Sequence, residues 1–136
     1  MARKPNQSVL RFKRLTEKLQ KEVHQEAVAE LNAQAQNLAN TIENVAPKFE
    51  GNLEHSVRVV PDRRKDTVVR VVAGGKLTIR PNISTKPFDY ARADEFGTVK
   101  MAAKPFFFPT YRLSKKKMIS AMKRKITQSI KKRSAE

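Results

Sequence analysis

Asp94 and Glu95, His24 and His55, and the Gly74-Gly75 pair are the residues whose types could do chemistry in this chain. Adjacent carboxylates suggest a nuclease-like pair. In an extended chain, however, neighbouring side chains point to opposite sides, and no third acid or suitably placed lysine accompanies them. His24 stands between Glu22 and Glu26 on a helical stretch, where offsets of two put the three groups on different faces, so it reads as a solvent-exposed histidine. With two histidines and no cysteine, the donor sets of transition-metal sites and disulfide frameworks are missing. Gly74-Gly75 is not followed by a Lys-Ser/Thr pair opening a helix, as a phosphate loop requires. No serine sits in a nucleophile elbow. The chain reads as non-enzymatic, with no cofactor and no metal.

Charge says more. At 136 residues and a net charge of +16, one domain is expected, with anionic partners. Residues 1–21 carry seven basic groups against Glu17, and residues 112–133 carry ten with no acid. Between them, residues 22–57 carry six glutamates against Lys48. An acidic middle is of little use to a protein that only coats nucleic acid, but it can steer and register a contact between copies. No stretch approaches the ~20 apolar residues of a membrane span, and MARKPNQSVLRFKRL lacks the apolar core of a signal peptide. The expected location is the cytoplasm.

The pattern predicts an α+β domain over 1–136, with a basic N-terminal arm (about 1–14). Residues 7–46 read as helix, since Val28, Leu31, Ala35, Leu38, Ile42 and Val45 share a face, and Ala46-Pro47 stops it. Packing of this helix on a sheet is expected over a coiled-coil seam. A turn at Gly51-Asn52 leads to a strand around Ser56–Val60, paired as a hairpin with the strand in TVVRVVAGG. KLTIRP supplies a third strand, NISTKPFD a loop, and Tyr90–Phe96 a short helix or strand before Gly97. Phe106–Phe108, bracketed by Pro105 and Pro109, is expected as a strand, with at least two of its rings buried and the remaining one free for a subunit contact. A basic helix over about 110–133 follows, with Met118, Ile119, Met122, Ile126 and Ile130 as its stripe. The last few residues are expected to be disordered.

Residues 89–112 gather six of the nine aromatics. Gly97 is expected to permit a turn that a side chain would block, with Phe96 anchoring that loop in the core. Glu95 is the candidate for a specific polar contact, either with a basic residue of a neighbouring subunit or with its own loop amides.

The run VAPKFEGNLEHSVRV, followed by YARADEFGTVKMAAKPFFFPTYR, resembles the neck and tail-completion family of long-tailed bacteriophages. The matching positions are Ala46-Pro47, Gly51, Leu53, Ser56, Tyr90-Ala91, Glu95-Phe96-Gly97-Thr98, Pro105-Phe106 and Pro109. Glu50 and Thr110 depart from the pattern. The resemblance implies a tail-terminator- or tail-tube-like fold, in which a twisted, mostly antiparallel sheet carries the helices. It also implies a structural virion protein that forms a homo-oligomeric ring, six-fold to match a tail tube. Its implied partners are adaptor or head-closure proteins on the head side and terminator or tube proteins on the tail side, with weak non-specific DNA contact in the channel.

On that view the acidic 22–57 region, through Glu22, Glu26 and Glu30, meets Lys115, Lys116, Lys123, Arg124 and Lys125 of a neighbouring subunit. Tyr90, Glu95, Phe96, Gly97 and Phe107 are the other interface candidates. The alternative is a small basic nucleic-acid-binding protein, in which a basic helix beside aromatics supplies phosphate contacts and stacking.

Overall fold

The computed structural model describes residues 3–4, 6–48, 52–81 and 87–134. Helix α1 (Gln7–Val45) begins where Asn6 accepts a hydrogen bond from the Ser8 amide through its side chain and ends at the extended Ala46 before Pro47. The basic N-terminal arm is therefore helical from Gln7. The sequence stretch that contains α1 is rich in alanine, the residue with the highest helix propensity. Ala35 and Ala39 are buried beside Leu38 and Ile42, and their small side chains let other elements approach closely.

Helix α2 (Asn52–Ser56) leads into strand β1 (Arg58–Pro61), so Ser56 ends a helical turn and does not start a strand. The expected turn at Gly51 lies outside the described residues. β1 pairs antiparallel with β2 (Val69–Val72), with Arg58 opposite Val72 and Pro61 opposite Val69. The loop between them is tied by Asp62, whose carboxylate accepts from the Arg64 and Lys65 amides at 2.8 and 3.0 Å and from Arg70. Those two amides first, then Arg70, hold the Asp62 carboxyl below the usual range.

Strand β3 (Ile79–Pro81) pairs antiparallel with β4 (Pro87–Asp89) in a separate ladder. Part of the segment read as a loop is thus strand, and its residues 82–86 lie outside the described ones. In KLTIRP it is Thr78 that is buried, while Leu77 and Ile79 are exposed. The inversion follows from hydrogen bonding, because the Thr78 hydroxyl joins the Gly75 amide to the Asp89 carboxylate.

Helix α3 (Tyr90–Phe96) is capped by Asp89 and stopped by Gly97. Helix α4 (Phe107–Ser134) closes the described chain; the tail expected to be disordered falls on residues 135–136, outside it.

The α+β class holds at the level of long terminal helices with small antiparallel ladders. The described strands form two two-stranded pieces, not one twisted sheet, and α1 packs chiefly on α4. The two helices run antiparallel: Ser114 and Met118 lie beside Leu38 and Thr41, and Arg133 reaches Glu22 and Glu26.

The core sits at one end of this pair. It joins Leu38, Ala39, Ile42 and Ala46 to Leu53, Val57, Ala91 and Phe106. Val45, assigned to the same helical stripe, is exposed, as are Ile119 and Ile130 on α4.

Candidate functional site

Two polar junctions hold the region where the aromatics gather. The first surrounds Gly74. Ser56 donates from its hydroxyl to the Leu53 carbonyl and accepts from the Gly74 amide at 2.9 Å. Arg58 donates to the Ser56 and Gly74 carbonyls. Asp89 accepts from Thr78 and from the Ala91 amide. Gly74 has φ +93°, and a Cβ there would stand 2.9 Å from Asp89 Oδ2. One junction thereby fixes the ends of α2, β2 and α3 around a residue that has to be glycine.

The second junction is Glu95, which is 8% exposed. Its Oε2 accepts from the Phe106 and Phe107 amides at 2.8 and 2.9 Å, and its Oε1 from the Phe108 amide at 3.0 Å. The first turn of a helix leaves four backbone N–H groups without intrahelical partners. Here the fourth position is Pro109, which has no N–H, so one carboxylate satisfies the whole turn. Its charge also sits at the positive end of the helix dipole. Of the two contacts open from sequence, the described chain makes the one with backbone amides.

Phe106–Phe108 is correspondingly not a strand. Proline is well tolerated in the first turn of a helix, and Pro109 stands there. The signal for this was available in the sequence; the acid that completes it lies 11–13 residues upstream. Phe106 is buried in the core, Phe107 is half-buried, and Phe108 is 42% exposed. The ring most open to a partner is therefore Phe108 and not Phe107. Phe96 is 65% exposed rather than anchored in the core, and its ring lies 6.0 Å from that of Phe108.

Gly97 behaves as read. Its φ of +77° and ψ of 171° fall in a region essentially reserved for glycine, and a Cβ would meet the Ala103 amide nitrogen at 2.9 Å. The chain after it folds back, with the Lys104 amide donating to the Asp94 carbonyl at 2.6 Å. That return places Phe106 over Glu95. Burial raises the neighbouring Asp94 carboxyl above its ordinary value, with Lys104 opposing the shift. Tyr90 is half-buried against the core. Phe107 and Phe108 border a recess of about 330 Å³, lined also by Val72, Ala73, Ala91 and Phe106 and by the charged Asp89, Arg92 and Glu95.

The charged candidates divide differently from the expectation. Glu22 and Glu26 take Arg133 of the same chain at 3.0 and 2.6 Å, and Glu30 accepts from Gln34 one turn on. Two of the three glutamates assigned to a neighbouring subunit are thus committed within the molecule, because antiparallel packing brings the end of α4 to them. Lys115, Lys116, Lys123, Arg124 and Lys125 are all exposed. His24 is exposed and contacts Asp66 Oδ2 at 2.7 Å, away from its helical neighbours.

The neighbouring Ser129 and Arg133 side chains, of which Arg133 makes the hydrogen bond, hold the Glu26 carboxyl below its ordinary value of 4.5. A carboxyl lowered on folding stabilises the native state above that value, and the contribution is lost as pH falls through the native one. The melting temperature is therefore expected to fall between about pH 6 and about pH 3, and Glu26→Gln should remove part of that fall. Circular dichroism melts of the two proteins at both pH values measure the difference.

Compared with known proteins, the chain matches no family model, no curated protein and no solved structure. Among the described residues, no helix is long and apolar enough to cross a membrane.

Proposed function

We propose that this chain is a structural, ring-forming subunit of the neck of a long-tailed bacteriophage, a tail-completion or head–tail connector protein that helps join the tail to the filled head. The ordered set of motifs from Ala46-Pro47 to Pro109 suggests the family. The observation that carries an assembly role is exposed surface. Among the described residues, the large apolar side chains of Val9, Phe12, Leu15, Phe96 and Phe108 remain exposed.

Apolar side chains stand at both ends of that surface. At the start of α1, Val9, Phe12 and Leu15 are exposed, Phe12 by 71%, on the face that further along carries half-buried Leu19 and Val23. Phe96 and Phe108 lie at the opposite end of the α1–α4 pair, around the same recess as Phe106, which shares the core with Ile42. At 1.5 Å per residue, Phe12 and Ile42 are about 45 Å apart along α1, so neither patch covers the other within one molecule. Two different patches at opposite ends suit head-to-tail association, which closes into a ring when the rotation allows. Further copies, head-side adaptors and tail-side terminators are the proposed partners, and the virion is the proposed location after assembly in the host cytoplasm.

Phe12→Asp is expected to convert rings to monomers with little change in the thermal melt, since an exposed substitution costs within about 0.5 kcal/mol. Sedimentation velocity and negative-stain imaging read the outcome. A wild-type chain that stays monomeric at high concentration, even with portal-side and tail-side proteins present, overturns the reading.

A further inference from the structure

Every residue from Asn6 to Leu15 is exposed. The helix pair explains it: α4 ends at Ser134, one residue past the Arg133 that meets Glu22 and Glu26, so the first turns of α1 project uncovered. At about 100° per residue, Val9, Phe12 and Leu15 fall within about 120° of this arm, with Arg11 just beyond one border of the stripe and Lys13 just beyond the other. An amphipathic helix carries such a stripe to cover something, and among the described residues this one covers nothing.

The recess beside Phe107 and Phe108 has the complementary character. At about 330 Å³ it is at the small end of sites that hold a ligand, with room for one large side chain. Phe96 and Phe108 stand exposed at it, their ring centroids 6.0 Å apart and tilted by 44°, which leaves an aromatic surface open to a further edge-to-face ring. Its lining carries two carboxylates, Asp89 and Glu95, against one guanidinium, Arg92.

We infer that the α1 arm of one copy seats in this recess of the next, with the Phe12 ring against Phe96 and Phe108 and with Arg11 and Lys13 flanking it. The inference rests on the self-assembly reading and deepens it by naming the two surfaces that meet. Charge selects this occupant over a second arm. From Gln7 to Lys21 the arm holds Arg11, Lys13, Arg14, Lys18 and Lys21 against Glu17 alone, so two arms laid together would set like charge against like. The recess carboxylates are already held in place, Asp89 by Thr78 and Glu95 by the amides of α4, and they act on the arm as fixed charges that steer it. A lipid surface also takes basic amphipathic helices, but it would leave the aromatic recess at the far end of the molecule without an occupant.

The test uses the full chain, sedimentation velocity and two variants at exposed positions. Phe12→Asp removes the ring from the arm. Phe96→Lys places a cation at the last residue of α3, where the helix dipole favours it and where it repels the basic arm. Each alone should self-associate at least about thirtyfold more weakly than the wild type, the loss expected at an interface hot spot. Mixed in equal amounts they should form a 1:1 complex, because the Phe96→Lys copy keeps its arm and the Phe12→Asp copy keeps its recess. Unchanged circular dichroism shows that both fold, and Phe96→Ala, which adds no charge, should weaken association in the same direction. Arms that pair with each other give a different pattern, in which Phe96→Lys assembles like the wild type and only Phe12→Asp fails. That pattern, or a mixture that stays monomeric, overturns the inference, while wild-type rings in negative stain still uphold the neck reading. Conversely, a 1:1 complex in the mixture with open wild-type chains upholds the contact and overturns the ring. Wild-type binding to phosphatidylserine vesicles that Phe12→Asp abolishes, without self-association, assigns the arm to lipid and also overturns the inference.

Discussion

Replacing Glu95 by alanine is expected to destabilise the isolated chain by about 3–5 kcal/mol. An ordinary helix cap contributes about 0.5–2 kcal/mol. Glu95 does more because it is charged, is 8% exposed, and serves three amides at once. A hydrogen bond to a charged group contributes about 1.5–3 kcal/mol, and a buried donor left without a partner costs about 1–3 kcal/mol. The Phe106 amide is in the buried core and loses most, while those of Phe107 and Phe108 regain some solvation, which keeps the total below three full penalties.

Glu95→Gln keeps the volume but turns one oxygen into a donor facing a donor, so roughly half the loss or more is expected. Urea denaturation of monomeric protein at neutral pH gives both values. The experiment also separates the two contacts that the sequence left open for Glu95. A carboxylate whose partner is a neighbouring subunit would leave monomer stability unchanged and weaken assembly alone.

The second large effect is expected at Ile42. Its side chain is 0% exposed and joins α1 to Leu53, Val57, Ala91 and Phe106. Ile42→Ala removes three carbons from a core of few large residues, at a cost of about 2–5 kcal/mol, with the upper half expected because helices on two sides limit collapse into the cavity. Against a total stability of roughly 5–15 kcal/mol for a domain, that leaves a marginal fold. Val45→Ala is the matched control. It lies on the same helix, but is 55% exposed, and a change within about 0.5 kcal/mol is expected. Urea midpoints with an unchanged m-value would show that stability, and not the unfolded state, has moved.

These positions show how far one-dimensional reading reaches. α1, its stop at Ala46-Pro47, the β1–β2 hairpin, the special backbone at Gly97 and a basic C-terminal helix were all legible. Each is a property of a short window: a 3.6-residue period, a proline that excludes helix before it, or a glycine beside an aromatic. Local rules gave way where a distant partner intervened. Proline on both sides of Phe106–Phe108 argued for a strand until Glu95 supplied the acceptor that starts a helix there. Leu77 and Ile79 alternated like an inward face, yet hydrogen bonding drew Thr78 inward. Val45 fitted the apolar stripe of α1 but stands at its edge, exposed between the buried Ile42 and Ala46.

Charge followed the same division. The sequence by itself established an acidic middle between basic ends, because a count of side chains needs no coordinates. Which charges are paired within the molecule was decided only when α1 and α4 packed antiparallel, bringing Arg133 to Glu26 across 107 residues while the other nine cations of α4 stay exposed. Backbone preference is encoded within a few residues and survives without a fold. The pairing of carboxylates with particular amides and guanidinium groups depends on three-dimensional proximity, and that exists only after the chain has packed.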